Sequence, residues 1–227
     1  MNLFHTGPHM SFKRTLSIAG LSLSIAGFAN AEVESSISAS HDSKYNFRGE
    51  NAGEDAFSFA YNVSTNAASL DWDLALEQIS SDLTDIESYR IGAAKGLGDQ
   101  LALRVGLEHH NFSLRNSFLS NLTVGLSSTL AGLDLGATAF YDLTSNDDPD
   151  YYEFSAAKHF CLGDGLSAEV SVLHGEIKGR GNYRTASLGL SKQLSDQVAA
   201  SVHYTYVDSL GFHDEDSLFG LSISVDL

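Results

Sequence analysis

The chain has 227 residues, with 29 Asp and Glu against 13 Lys and Arg, a formal net charge of −16, two prolines and a single cysteine. That length suits one or two domains. The acidic balance excludes a nucleic-acid surface built on a basic footprint, and the lone Cys161 excludes an internal disulfide framework or a zinc site made of several cysteines. No stretch approaches the ~20 apolar residues of a membrane helix, while 20 glycines and many Ser, Thr, Tyr and Phe point to an all-β chain.

The first segment, residues 1–31, reads as an upstream extension up to Met10 followed by a secretory signal peptide. Lys13 and Arg14 form its basic region, Leu16 to Phe28 its apolar stretch, and Ala29-Asn30-Ala31 a small-x-small cleavage site. No cysteine follows the apolar stretch, so a bacterial lipid anchor is not expected. Cleavage after Ala31 leaves residues 32–227 as one exported domain and removes two bases and no acid.

From Ile37 onward, apolar and polar residues alternate in segments of roughly ten, the period of strands rather than helices. The first strand runs to a polar loop near Gly49 to Asp55, and the second to a turn near Ser64 to Ala68. Further on, Leu101, Leu103, Val105 and Leu107 share one face, with Ala102, Arg104, Gly106 and Glu108 opposite. Val198, Ala200, Val202, Tyr204 and Tyr206 form a later apolar face, and Phe219, Leu221, Ile223, Val225 and Leu227 the last. Short turns fall at Gly96-Leu97-Gly98-Asp99, Ala131-Gly132, Gly163-Asp164-Gly165 and Ser195-Asp196-Gln197. Longer polar loops are expected at Ser80 to Ser88, His110 to Ser120, Thr144 to Asp150, Gly175 to Asn182 and Asp208 to Ser217. The repeat predicts about twelve antiparallel strands, with ten or fourteen compatible with the signal.

Several features set the apolar face toward hydrocarbon. The strands match the ~9–11 residues that cross a tilted bilayer. Long loops are expected on one side only. Tyr89, Phe140, Tyr141, Tyr152, Phe154, Tyr204 and Tyr206 gather where strands meet those loops, as in an interfacial girdle. A closed barrel satisfies every backbone group in lipid. The alternating tail resembles the terminal strand that barrel-assembly machinery recognises, with Leu227 where an aromatic residue commonly stands.

Tyr45-Asn46-Phe47-Arg48-Gly49 resembles the Y-x-F-R-G signature of the TorF-type porins of Gram-negative bacteria. Leu188-Gly189-Leu190-Ser191-Lys192, His203-Tyr204-Thr205-Tyr206 and Leu218 to Leu227 are similar too. The resemblance implies a transmembrane β-barrel of the bacterial outer membrane with channel function, in contact with lipid and lipopolysaccharide.

With the phase set by neighbouring apolar residues, the inward charges are Asp42, Lys44, Arg48, Asp71, Asp73, Glu77, Arg90, Arg104, Glu108, Asp134, Asp142, Glu153, Glu169 and Asp226. Carboxylates outnumber bases, which favours cations in a confined pore. The expected function is passive diffusion of small hydrophilic solutes, with a closed structural barrel as the second reading and a barrel enzyme acting on lipid or lipopolysaccharide as the third. Catalysis, a cofactor and a metal are not expected. Ser201 and His203 share an inward face, and the pair His109-His110 would face opposite sides. Lys178, Arg180 and Arg184 form a basic cluster that suits lipopolysaccharide phosphates.

Overall fold

The computed structural model describes residues 33–48, 50–98, 100–113, 117–143, 150–210 and 215–227. The expected signal peptide lies outside them. Twelve strands follow in order: β1 (Val33–Phe47), β2 (Glu50–Ala67), β3 (Leu70–Ser80), β4 (Asp85–Gly96), β5 (Leu101–Phe112), β6 (Ser117–Leu130), β7 (Leu133–Asp142), β8 (Tyr151–Gly163), β9 (Leu166–Ile177), β10 (Gly181–Gln193), β11 (Val198–Leu210) and β12 (Asp216–Asp226). Each pairs antiparallel with the next in the chain. β12 closes on β1, from Ser36 opposite Asp226 to Asp42 opposite Gly220, so the sheet is a closed barrel without an edge.

The period-two alternation decides which face is wet. Phe57, Leu107, Val170, Leu188 and Phe219 are 57%, 48%, 47%, 51% and 51% exposed, although they are among the most apolar side chains in the molecule. A soluble barrel would bury them; here they form the outer surface, as a lipid-facing band does. The opposite face of the same strands carries Ser, Thr, Gly and charges and encloses the lumen. Twelve strands lie between the eight that side chains can fill and the sixteen that leave a wide channel.

At one end the hairpins are tight. Ala68 and Ser69, Ala131 and Gly132, and Asp164 and Gly165 have φ of 55° and 61°, 52° and 74°, and 51° and 69°. Positive φ at both central residues is the two-residue turn that matches strand twist. Here β2 continues to Ala67, so the turn expected at Ser64 to Ala68 falls at residues 68–69.

At the other end all the connections but β7–β8 are shorter than the sequence suggested. β2 begins at Glu50, so the expected loop at Gly49 to Asp55 is mostly strand, and the connections are residues 48–49, 81–84, 113–116, 143–150, 178–180 and 211–215. Strands there extend beyond the apolar band with the pattern inverted: Ile79, Ile86, Phe112 and Ile177 turn inward, while Ser80, Asp85, Asn111 and Glu176 take the outer face. They remain paired by the backbone ladder, but the outer apolar row that marks the rest of each strand is missing.

Candidate lumenal site

The turn between β1 and β2 places Arg48 at φ 52°. From there its guanidinium reaches across the barrel, 5.1 Å from the ring centre of Phe140 on β7 and 4.4 Å from that of Tyr151 on β8. β7 lies on the opposite wall from β1 in the strand ring. Phe47 adds a third ring at 5.4 Å, and cation–π contacts of this kind strengthen where water is excluded. Among the described residues, the buried Nη2 of Arg48 has no hydrogen-bond partner; the aromatic faces take that role.

Two apolar clusters narrow the lumen around this arginine. Ala56, Ile79 and Ile86 pack with Tyr45 and Phe112 on one wall. Phe140, Tyr151 and Tyr183 pack with Leu173 and Ile177 on the other. The phenol groups of Tyr151 and Tyr183 bond each other and Glu153. Above this constriction, at the loop end, Phe47, Arg48, Phe112, Asp142, Lys178 and Arg180 line a vestibule of about 570 Å³. Toward the tight-turn end, His159, Glu169, Ser171, Ser187, Ser201 and His203 line a hydrophilic compartment of about 500 Å³.

Glycines decide which charges meet. In two lumenal rows a glycine separates two functional side chains, and the missing Cβ leaves room for them to lie across it; in a third, a glycine makes room for one carboxylate. Asp42, Gly220 and His203 are in register across β1, β12 and β11. His203 Nε2 is 2.9 Å from Asp42 Oδ1, and a Cβ at Gly220 would overlap both. Glu153, Gly175 and Tyr183 repeat the arrangement across β8, β9 and β10, with the Tyr183 ring covering Gly175. Asp73 lies over Gly92 and reaches Arg90 at 4.0 Å and Arg104 at 3.8 Å.

The ladder registers align Asp42, Asp73, Glu77, Arg90, Arg104, Glu108, Asp142 and Glu153 on one face of the strands; Arg48 lies in the β1–β2 turn, and Lys44 adjoins Tyr45, which packs on the lumenal cluster. Lys44 meets Asp216 at 2.5 Å, and Glu77 lies in the field of Arg90 and His110. Glu108 is 3.6 Å from His110 Nε2, and Asp142 opposes Asn121. Asp134 and Glu169 flank His159 at 3.6 and 3.2 Å. Sequence reasoning placed His203 inward but missed the inward histidines 110 and 159, and also Tyr151, Tyr183 and Asp216. The histidines share the period-two phase of the carboxylates, a signal lost when only full charges are counted.

Other expectations are redistributed. Phe140, expected in the outer girdle, points inward and is 7% exposed: it pairs with Thr123 and Tyr151, which are lumenal. Ser201 does face the lumen with His203, but its hydroxyl bonds Ser222 while His203 bonds Asp42, so the two form no nucleophile–base pair. The expected basic cluster is split. Lys178 and Arg180 line the vestibule, whereas Arg184 lies between His174 and Asp208 on the outer face.

No family model and no curated relative matches the chain. Solved structures do. The NanC porin superposes with a TM-score of 0.59 at 14% identity, covering 84% of this chain and all of that one. The KdgM porin gives 0.59 at 9% identity, over 84% and 98% of the two chains. The fold is that of the porin-like barrels. Outer membrane phospholipase A from Escherichia coli shares it at a TM-score of 0.54 and 15% identity, over 88% and 96%.

Proposed function

We propose that the chain is an outer-membrane channel through which small hydrophilic solutes diffuse, with a preference for cations, after export by a signal peptide removed at Ala31. The observation that carries this reading is the lumen itself. A constriction crossed by Arg48 separates a loop-side vestibule from a compartment rich in Ser, Gly and carboxylates. The NanC and KdgM porins support the reading at the level of fold.

The charge balance supports cation preference. Lys44 lies against Asp216, and Arg90 and Arg104 share Asp73, while Asp42, Glu77, Glu108 and Glu153 add further carboxylates to the same face, so acids outnumber bases along the path. Inside a confined lumen such an excess concentrates cations and repels anions. The matching experiment is the reversal potential of the refolded chain in a planar bilayer under a KCl gradient. A cation-selective value is expected, reduced in Glu77→Gln. An anion-selective value would contradict the charge assignment while leaving the channel in place.

A further inference from the structure

His109 and His110 are neighbours in β5 with opposite fates. His110 enters the lumen, and His109 faces outward among Tyr89 and Phe118, with ring centres 6.2 and 5.8 Å away. There its Nδ1 is 2.7 Å from the Ser120 hydroxyl, directly opposite on β6, and its Nε2 is 3.0 Å from Asn111 Oδ1. An oxygen facing Nε2 holds the proton on that nitrogen and leaves Nδ1 to accept from Ser120. A nucleophile within hydrogen-bond reach of a base, itself oriented by a third group, is the arrangement of nucleophilic acyl transfer.

Its position indicates the substrate. Leu107 and Leu122 lie one step deeper on the same outer face, and Phe118, 62% exposed, stands beside Ser120. Asn111 opposes Glu87 on β4, at the polar rim near the loops. An acyl chain lying along Leu107 and Leu122 would bring a lipid's ester group to the level of Ser120, with its headgroup at the rim.

We propose that Ser120, His109 and Asn111 form a serine acyl-hydrolase site on the lipid-facing rim, taking the ester of a membrane glycerolipid. Ser120 Oγ bonds to the ester carbonyl carbon as its proton passes to His109 Nδ1. The bond to the glycerol oxygen then breaks, and that proton goes to the leaving alcohol. Water attacks the acyl-serine, giving one proton to His109, which returns it to Ser120 Oγ as the fatty acid leaves. Asn111 is a positioning residue. Ladder pairing engages the main chain on both sides of β6, so the developing oxyanion relies on side-chain or solvent donors. Lack of one built-in donor costs about 10²–10³-fold in rate, which makes covalent capture the primary readout.

This site shares no residue with the lumen, and its test is independent of conduction. The full chain, refolded in detergent and verified as folded by its heat-dependent electrophoretic mobility, is treated with an alkyl fluorophosphonate. It is also mixed with phosphatidylethanolamine vesicles to follow fatty-acid release. Labelling mapped to Ser120 is expected, lost in Ser120→Ala and lowered about 10²-fold or more in His109→Gln. Asn111→Ala should lower kcat with KM retained, and Asn111→Asp should restore activity with a shifted pH profile. A folded wild-type barrel left unlabelled at Ser120, or lipid hydrolysis unchanged in Ser120→Ala, would overturn the proposal and leave the three side chains as a polar element of the aromatic girdle.

Discussion

Arg48→Asn is expected to raise single-channel conductance severalfold and to increase cation selectivity. The substitution removes a side chain that crosses the lumen from the β1–β2 turn to Phe140 and Tyr151, and with it a positive charge between the two apolar clusters. Asparagine is the appropriate replacement because it accepts the left-handed conformation, φ 52°, that residue 48 adopts. The loss of ring contacts should lower unfolding free energy by about 1–2 kcal/mol, which urea titration in lipid vesicles would register without loss of the barrel. Unchanged conductance in a folded variant would place the limiting constriction elsewhere.

Ile86→Ala should destabilise the barrel by about 2–5 kcal/mol, the range for deleting a large buried aliphatic side chain from a packed site. Ile86 is fully buried, against Ala56 and Ile79. The three residues stand on three consecutive paired strands, so the cavity has little means of collapsing. Ile91 on the same strand provides the control: it faces outward and is 43% exposed. Ile91→Ala only exchanges a lipid contact and should cost about 0.5 kcal/mol. Equal losses in the two variants, measured by urea unfolding, would show that the lumenal cluster is not packed as described.

The barrel was legible because its signal repeats. Runs such as Leu101 to Glu108 and Val198 to Tyr206 assign every side chain to a face once one apolar neighbour is placed, so the lumenal carboxylates and bases follow from phase alone. Strand ends were not legible. Beyond the apolar band the outer face turns polar, and the start of β2 at Glu50 reads as loop although the ladder continues through it. Phe140 was misplaced for a related reason: an aromatic near a strand end suits a girdle and a lumenal constriction equally, and only its pairing with Tyr151 decides.

The site's connections were less legible still. That Asp42 meets His203, or Asp73 both Arg90 and Arg104, depends on which strands are neighbours and on where glycines fall between them. Gly92, Gly175 and Gly220 look like turn or filler residues in the sequence. Their role as spacers appears only when three strands are aligned. The partnership of His109 with Ser120 has the same origin, since cross-strand register joins residues that no short motif links.

The most direct test of the channel reading is solute entry into liposomes carrying the folded chain, with neutral solutes of graded size. The account predicts swelling with the smallest sugars, a sharp fall with increasing size, and a higher cut-off in Arg48→Asn. A folded, inserted barrel that admits none of these solutes, in the wild type and in Arg48→Asn alike, would contradict it and favour a barrel with a closed lumen.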